Sequence, residues 1–408
     1  MPRLLLLVES NTSGTGRLFA RAARDLGLEP VLIARQPGRY PYVAEDGVRA
    51  LEADTADLGI LRALVRTLDL EEGVAGITSS SEYFIATAAR LAGELGLPGP
   101  NPDAVTACRN KAGQRRRLAE AGVDRVRHAE VSDPADAVQA ADTIGLPVVL
   151  KPVAGSGSVG VRLCTTLAEV AAHALDLLAG GTGGAFLVEE SVRGDEYSVE
   201  VFHDAVIGVT RKHLGPLPHF VEMGHDFPAP LRPDETERIA GFALAATRAL
   251  GLTWGPLHVE LRLGANGPHV MEVNPRLAGG FIPELVRHAT GIDLIRATVQ
   301  LVVGRIPDVA ATRREHAAIR FLTPRKDGLW FATEGMDAAR GAPFLRDLRL
   351  YRPSPLLIAR RGDFQDRLGH VLTSAPDLEV AVAAAEVTRA AIRFRVAADG
   401  AGSLATVA

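Results

Sequence analysis

The segment from residue 258 to 280 carries two glutamates and an asparagine, Glu260, Glu272 and Asn274, followed by Arg276 and paired glycines. Carboxylate and amide oxygens are the hard ligands that Mg²⁺ prefers, and phosphate and water oxygens can complete its octahedral shell. These residue types therefore indicate a magnesium site that takes a polyphosphate. An ordinary exposed hairpin with solvated acids is the alternative, since short motifs also match by chance.

The residues around these three ligands predict how they come together. The stretches LHVEL and HVMEV read as two short apolar strands, and the Gly-Ala-Asn-Gly-Pro turn between them predicts a hairpin. Antiparallel pairing would bring Glu260 and Glu272 together on one face. The two-residue period of a strand places Asn274 on the same face as Glu272, so a single metal cluster is feasible.

A second candidate element is LPVVLKPVAGSGSVGVRL, a predicted buried strand that ends at Lys151 and leads into a glycine-rich loop. Glycine lets the backbone approach an anion closely, and successive N–H groups can form a phosphate cradle. The loop returns to a strand and lacks Gly-Lys-Ser/Thr, so it is not a Walker loop, and a flexible hairpin tip is the alternative. Lys111, at a predicted helix start, is a further candidate for a phosphate contact, although a run of basic residues such as the one it begins usually marks a solvated helix face. The loop residues are Gly155, Ser156, Gly157, Ser158, Val159 and Gly160.

Three acids, Glu189, Glu190 and Glu196, crowd the connection in AFLVEESVRGDEYSVEVFHD. Acids on a loop are normally solvated surface residues. A connection between two subdomains is also where a purine and a ribose could be held. An ionised carboxylate only accepts hydrogen bonds, which suits it to ribose hydroxyls.

Residues 1 to about 100 alternate strand and helix, which predicts βαβ units and a parallel sheet that starts with the core strand PRLLLLV. The loop Ser13, Gly14, Thr15 and Gly16 is weak as a dinucleotide motif. It lacks a third glycine, and Arg35 stands where an acid should close the second strand. Such a loop more often only turns the chain, although it could line a substrate pocket at the strand ends.

With 408 residues, 47% of them hydrophobic, the chain can form about two to four domains or subdomains. A net charge of −4 and a pI of about 6.3 provide no basic field, so no nucleic acid or membrane partner is expected. The opening apolar run is too short for a signal peptide or a membrane span. Cys108 and Cys164 fit reduced thiols in a cytoplasmic protein better than a disulfide framework.

Taken in order, Lys111, Lys151 with its glycine loop, VEESVRGDEYSVE and the set from Glu260 to Arg276 resemble the ATP-grasp superfamily over about residues 101 to 305. Within it, the segments VESNTSGTGRLF, FVEMGHDFPAPL, NPRLAGGFIPELVRHATGIDL and AAIRFLTP are most similar to the carboxylate-amine ligases that include bacterial L-amino acid ligases. The resemblance implies an α/β fold of three parts. They are a Rossmann-like N-terminal parallel-sheet domain at 1–100, an ATP-grasp domain at 101–305 with a lid at about 115–192, and a C-terminal α+β extension at 306–408.

The resemblance also implies a role for each site residue. Lys111 and Lys151 would contact ATP phosphates under the closed loop 155–160, with Lys212 as a further phosphate lysine or else a surface lysine. Glu189 and the backbone around Glu190 and Val192 would hold adenine, and Glu196 the ribose. Glu260, Glu272 and Asn274 match the ligands of Mg²⁺, with Mn²⁺ as a substitute, and Arg276 would stabilise the transferred phosphoryl group. Ala278 departs from the glycine of many relatives, which leaves the shape of the substrate pocket open.

The activity that the resemblance implies is an ATP-dependent carboxylate-amine ligation that proceeds through an acyl phosphate and releases ADP and phosphate. The substrates would be a small carboxylate and an amine, most plausibly amino acids joined into a dipeptide or an amide of a specialised metabolite. His225 is the candidate that orients or deprotonates the amine, because FVEMGHDFPAP reads as too polar and broken for core; a structural histidine is the alternative. His219, Glu82 and Arg320 are further pocket candidates. Arg320 lies on a predicted buried strand and must meet an anion, either a substrate or an internal acid.

Two other functions stay open. A carboxylase of the same fold would activate bicarbonate, and a regulator would bind nucleotide without turnover. The final helix, DLEVAVAAAEVTRAAIRF, has an apolar face that predicts docking onto the central domain or across a homodimer.

Overall fold

The computed structural model describes residues 2–11, 15–180 and 184–398. Of the loop considered for a dinucleotide, Ser13 and Gly14 lie outside the described residues, whereas Thr15 and Gly16 begin the first helix. Within the described ranges, no helix combines the length and the apolarity that a membrane crossing requires.

The N-terminal part of the chain alternates strands with helices, as predicted. Its elements are β1 (Leu4–Val8), α1 (Thr15–Asp25), β2 (Glu29–Ala34), a 3₁₀ turn (Pro37–Arg39), α2 (Pro41–Glu45), β3 (Arg49–Glu52), α3 (Leu58–Glu72), β4 (Val74–Thr78) and α4 (Ile85–Glu94). The four strands form a parallel sheet in the order β3-β2-β1-β4. Because helices cover both faces of this sheet, β1 is apolar throughout and almost fully buried.

A second layer carries the glycine-rich loop. Its elements are α5 (Pro102–Cys108), α6 (Lys111–Glu120), β5 (His128–Val131), α7 (Pro134–Ile144), β6 (Val148–Pro152), β7 (Arg162–Cys164), α8 (Leu167–Ala179) and β8 (Phe186–Glu190). The strands form an antiparallel sheet in the order β5-β8-β6-β7, and the apolar faces of α7 and α8 pack on it. The loop from 155 to 160 joins β6 to β7. The sheet and its two helices α7 and α8 lie within 115–192, the range predicted for the lid, whereas α5 and the start of α6 precede that range.

The central layer is one antiparallel sheet of eight strands, in the order β13-β12-β9-β10-β11-β14-β18-β16. Elements before residue 305 are β9 (Asp195–Phe202), β10 (Ala205–Leu214), β11 (Glu222–Phe227), α9 (Pro233–Ala249), β12 (Pro256–Gly264), β13 (Gly267–Asn274), α10 (Ile282–Thr290) and α11 (Leu294–Val302). Later elements are β14 (His316–Leu322), β15 (Gly328–Glu334), α12 (Met336–Arg340), β16 (Leu345–Leu350), β17 (Leu356–Ile358), a 3₁₀ turn (Phe364–Asp366), β18 (Gly369–Ala375), α13 (Leu378–Ala391) and β19 (Arg393–Ala397).

The C-terminal segment has the predicted mixture of strands and helices, and it is continuous with the centre of the molecule. Strands β14, β18 and β16 extend the central sheet through the pairing of β11 with β14, while β17, β15 and β19 form a small sheet of their own. The final helix α13 lays Ala381 and Ala385 against Ala318 and Ala375 of the central sheet. The helix therefore packs on strands of its own C-terminal segment, which belong to the central sheet, and the predicted docking onto the domain at 101–305 or across a homodimer stays a prediction.

Candidate active site

The predicted hairpin of β12 and β13 is confirmed, with Glu260 and Glu272 as direct cross-strand partners and His258 opposite Asn274. Directly opposed residues of an antiparallel pair point to the same face, so the two carboxylates lie side by side. A register shift follows Glu260, where one strand bulges. The sequence pattern was sufficient here because both strands and their turn are local.

The ammonium group of Lys212 lies among three carboxylates. Its Nζ is 3.1 Å from Glu196, 2.7 Å from Glu222 and 3.1 Å from Glu260. The Lys212 side chain is 2% exposed, so these charges interact with little screening by water. Although burial opposes the charge, the carboxylates raise the pKa of Lys212 well above its usual range, and Lys212 and His258 hold the pKa of Glu260 well below the usual value.

Two more lysines complete the cationic side of the site. Lys111 begins α6 after the cap Asn110, and its Nζ contacts Glu272 at 3.0 Å and donates to the carbonyl of Gly155 at 2.6 Å. Lys151, at the end of β6, contacts Glu189 at 2.7 Å. The chain has only four lysines, and three of them meet here.

Glu189 is held between two cations rather than facing open space. Arg115 Nε donates to its Oε1 at 2.6 Å and Lys151 contacts its Oε2 at 2.7 Å, and Arg115 also bonds the Val270 carbonyl. Burial alone would raise the pKa of Glu189, but the two cations lower it to about 2. The predicted contact of Glu189 with adenine stays a prediction, and in this structure its carboxylate orients Lys151.

The other predicted nucleotide residues follow β8 into β9. Glu190 accepts from the backbone and guanidinium of Arg127, at 2.9 and 2.8 Å. Glu196 and the carbonyl of Val192 both accept from Arg262, each at 3.0 Å, and Glu196 also meets Lys212. These residues line the junction between the lid layer and the central sheet, where a nucleotide was expected. Their predicted roles toward adenine and ribose are not tested by these contacts.

The glycine-rich loop crosses this junction in a conformation that its glycines permit. Gly155 and Gly157 have φ values of 123° and 69°, in the left-handed region that favours glycine. Ser158 Oγ donates to the Phe220 carbonyl at 3.1 Å. Ser156 and Gly157 line the large cavity described next, so the loop forms part of its cover.

A cavity of about 1070 Å³ lies where the three parts of the chain meet. From the N-terminal part come residues such as Asn11 and Glu82; the centre contributes Glu260 and Arg276; Arg349, Tyr351 and Arg367 come from the C-terminal segment. Arg276 and Glu82 are bound to each other at 2.7 Å across the cavity wall. The structure therefore brings Glu82, a weaker candidate from sequence, directly to the site.

The donor set fits Mg²⁺. Two adjacent carboxylates and one amide leave room for phosphate and water oxygens, which is how this ion is usually bound. Within the described part of the chain, no three His, Cys, Asp or Glu side chains gather as a metal cage, so phosphate or water oxygens would have to fill the positions that these three residues leave open. The buried Nδ2 of Asn274 has no hydrogen-bond partner among the described residues. The amide can therefore turn to present its oxygen without breaking a bond of that nitrogen.

The structure does not bring His225 into the cavity. The expectation that its segment is too broken for core is wrong, because β11 pairs with β10 on one side and β14 on the other. The imidazole is fully buried against Phe321, 3.6 Å from Glu222, and burial lowers the pKa of His225 to about 3. In this position the imidazole packs behind Gly280 and supports the cavity wall. Because its pKa is low, it is also a weak base.

Arg320 has the internal partners that were one of its two predicted possibilities. Its Nη1 donates to Asp226 at 2.7 Å and its Nε to Glu386 at 2.6 Å, so it ties β14 to β11 and α13. His219 lies against Gly362 of the C-terminal segment. The described lining of the cavity includes neither Arg320 nor His219.

Several site residues were missed from the sequence. His258 bridges Glu200 at 2.9 Å and Glu260 at 3.0 Å, and despite burial these carboxylates raise the pKa of His258 to about 9. Others are Glu222, Arg115, Arg262 and Arg367. The two-residue period of β12, which places His258 on the same face as Glu260, was a usable signal for His258. The remaining residues depend on contacts between distant segments.

Three parts of the chain match known protein families. Residues 20–99 match the ATP-grasp N-terminal domain, residues 144–284 the ATP-grasp domain, and residues 320–397 the L-amino acid ligase C-terminal domain 2. These ranges contain strands β2 to β4 of the N-terminal sheet, the glycine-rich loop with the β12–β13 hairpin, and most of the strands that complete the central sheet.

Whole-chain relatives agree with these matches. An uncharacterized protein of Sinorhizobium fredii is 39% identical over 381 residues, which cover 92% of this chain and 79% of that protein. Carnosine synthase 1 of Gallus gallus is 29% identical over 79% of this chain, and the chain spans only 38% of that protein. The crystal structure of an L-amino acid ligase from Bacillus licheniformis has a TM-score of 0.83 at 21% identity, covering 97% of this chain and 100% of that one, which shows a shared fold. The predicted resemblance is confirmed: the chain belongs to the ATP-grasp superfamily, in the family of ATP-dependent ligases that includes the L-amino acid ligases.

Proposed function

We propose that this protein joins a carboxylate to an amine, with amino acids as substrates, in an ATP-dependent reaction that forms a peptide or amide bond. The observation that carries the proposal is the cross-strand pair Glu260 and Glu272, each in contact with a lysine, with Glu260 in the lining of a cavity of about 1070 Å³. Part of that lining comes from the segment that matches the L-amino acid ligase C-terminal domain 2. A nucleotide site beside a large substrate cavity supports a ligase.

In the first step, an oxygen of the substrate carboxylate attacks the γ-phosphorus of ATP. The bond between that phosphorus and the β–γ bridging oxygen breaks, and ADP leaves with the electron pair. Lys151 and Arg276 neutralise the charge that develops on the phosphoryl oxygens, and such positioning with electrostatic stabilisation accounts for most of phosphoryl transfer catalysis. Bound at Glu260, Glu272 and Asn274, Mg²⁺ would supply further neutralisation of phosphate charge.

The three lysines divide this work because each is held by a different carboxylate. Lys111 is held by Glu272, Lys151 by Glu189 and Lys212 chiefly by Glu222. An ammonium has three N–H donors, so Lys111 and Lys151 each keep a donor for phosphate oxygens, whereas the three carboxylates around Lys212 match all three of its donors. Polyphosphate binding would therefore need little reorganisation of Lys111 and Lys151, which is the source of electrostatic preorganisation.

In the second step, the amine nitrogen attacks the carbonyl carbon of the acyl phosphate. The bond from that carbon to the phosphate oxygen breaks, inorganic phosphate leaves, and the nitrogen loses a proton. Because His225 is buried outside the cavity with a pKa lowered to about 3, its proposed part is to support the wall rather than to take this proton. A site that favours the neutral amine meets the same need.

The test is Mg²⁺-dependent phosphate release from ATP across amino acids and other carboxylates, each supplied alone and in pairs. We expect release that needs two substrates, and a product whose mass equals their sum minus water. With ¹⁸O in the substrate carboxylate, one label should move into inorganic phosphate, since that oxygen bridges carbon and phosphorus in the intermediate. Release that needs bicarbonate would replace the proposal with a carboxylase, and ATP binding without turnover would replace it with a nucleotide-binding regulator.

A further inference from the structure

A turn of the C-terminal segment, residues 360–367, covers the glycine-rich loop from outside the lid layer. The backbone N–H of Phe364 donates to the carbonyl of Gly157 at 3.2 Å. The Phe364 ring lies so close to Gly157 that a Cβ on that glycine would overlap it. Phe364 and Gln365 line the cavity together with Gly157, so this contact is at the cavity cover.

The turn is ordered by its own hydrogen bonds. The carboxylate of Asp366 accepts from the backbone N–H groups of Arg361 and Gly362, at 2.8 and 2.9 Å. Asp363 caps the short 3₁₀ turn by accepting from the N–H of Gln365 at 2.7 Å. The turn therefore presents Phe364 on a backbone that is already fixed.

One residue ties this turn to the cavity wall. Arg367 contacts Glu222 at 3.1 Å, and its guanidinium lies 4.4 Å from the centre of the Phe321 ring. Glu222 is also the nearest carboxylate of Lys212, at 2.7 Å. The turn is thus anchored in the central sheet, and the loop that it covers belongs to the lid layer.

The loop itself has few other attachments. Ser158 Oγ donates to the Phe220 carbonyl, Lys111 donates to the Gly155 carbonyl, and His173 Nε2 lies 2.9 Å from the Gly160 carbonyl at the end of the loop. Glycine supplies no side chain that could pack, so contacts from outside must hold the loop down. Phe364 provides an apolar ring at the middle of the loop, and with 46% of its surface exposed it can separate when the loop opens.

We infer that Phe364 is a positioning residue whose ring holds the glycine-rich loop closed over the cavity, which slows nucleotide escape and keeps water from the activated carboxylate. The inference rests on the proposed function for its chemical consequence, since an acyl phosphate that meets water is hydrolysed instead of aminated. Loops that exclude water in this way commonly set the rates of ligand release. The slower release of nucleotide can be measured without turnover, so this part of the inference can be tested separately from the proposed reaction.

The first experiment measures dissociation of the fluorescent N-methylanthraniloyl analogue of ADP, with Mg²⁺, from the wild type and three variants. Phe364→Ala removes the ring, Phe364→Tyr keeps it, and Phe331→Ala removes an equally exposed ring, 52% exposed, on the outer face of β15. We expect release from Phe364→Ala to be at least about threefold faster, and release from the other two to match the wild type. Phe364→Leu serves in place of the alanine variant if that variant does not fold.

The second experiment measures moles of ADP formed per mole of amide product. The wild type should be close to one, and loss of the ring should raise the ratio because water competes for the acyl phosphate. Unchanged analogue release from Phe364→Ala, or equal acceleration by Phe331→Ala, would overturn the inference. If the wild type retains the analogue through Phe364 but makes no amide, the proposed function is refuted, while the inference that Phe364 holds the loop closed still stands. The two failures are therefore distinguishable.

Discussion

Replacing Arg115 with methionine removes a charge from a deeply buried ion-pair network at the junction of the lid layer with the central sheet. Arg115 is 4% exposed at its side chain, contacts Glu189 at 2.6 Å and Asp124 at 3.4 Å, and donates to the Val270 carbonyl. Methionine keeps much of the apolar stem and removes every one of these bonds. Glu189 is then left with Lys151 as its remaining cation.

The size of the effect follows from Glu189. Burial would raise the pKa of this carboxyl, but Arg115 and Lys151 lower it to about 2. Against an unfolded pKa of about 4.3, this lowering corresponds to about 3 kcal/mol of stability, fully present above the unfolded pKa and lost as pH falls toward the folded value. Breaking one partner from a buried pair independently predicts a loss of about 3–5 kcal/mol. We therefore expect Arg115→Met to lower the free energy of unfolding by about 3 kcal/mol at pH 7.

Urea unfolding of the wild type and variant, at pH 7 and again at lower pH, measures this loss. The deficit should persist down to about pH 4 and shrink as pH falls further toward about 2, because protonation of Glu189 removes the charge that Arg115 compensates. The neighbouring variant Arg116→Met is the matched control, since Arg116 is 56% exposed and its contact with Glu130 should contribute less than about 1 kcal/mol. A deficit for Arg115→Met no larger than that of the control, with the same dependence on urea, would refute the reasoning.

Three further changes test the site and its support. Glu272→Gln removes a proposed metal ligand, and Mg²⁺-dependent phosphate release should fall by roughly 100-fold or more. Lys212→Met removes the cation shared by three carboxylates and should lower turnover by roughly 100-fold, whereas Lys326→Met, at an exposed position, should leave it unchanged. Arg320→Met should cost about 3 kcal/mol of stability by leaving the buried Asp226 with His213 alone, and kcat per folded molecule should stay the same.

Each of these expectations has a result that contradicts it. Full activity in Glu272→Gln at low Mg²⁺ would remove Glu272 from the metal site. Equal activities of the Lys212 and Lys326 variants would show that Lys212 is only structural. Loss of kcat without loss of stability in Arg320→Met would place Arg320 in the reaction.

Local sequence was a good guide to local structure. The β12–β13 hairpin and the facing of Glu260 and Glu272 were predictable because a short turn and a two-residue period determine them; the turn is Ala265 and Asn266, shorter than the five-residue segment predicted. Strand β11 was not predictable, since its glycine, histidine and aspartate read as loop. It is a strand because β10 and β14 satisfy its backbone on both sides, and β14 lies about ninety residues further along the chain.

The ion pairs of the site were harder to predict from the sequence than its candidate metal-ligating residues. That Arg320 needs an anion follows from burial alone, but its choice of Asp226 depends on the register of β11 and β14. Lys212 was as consistent with a surface position as with the site. What decides its role is the convergence of Glu196, Glu222 and Glu260 from three strands, and no spacing in the sequence reports that convergence.

The unbroken eight-stranded sheet limits how this protein can exchange parts with its relatives. In a chimera joined near residue 305, the foreign β14 must pair with β11 in the native register. Otherwise β11 becomes an edge strand whose unpaired backbone groups can pair with another chain. The connection between β17 and β18, by contrast, reaches the cavity without contributing a strand to that sheet. Diversification of substrate choice is therefore easier through such connections than through recombination of whole domains, and directed evolution should begin there.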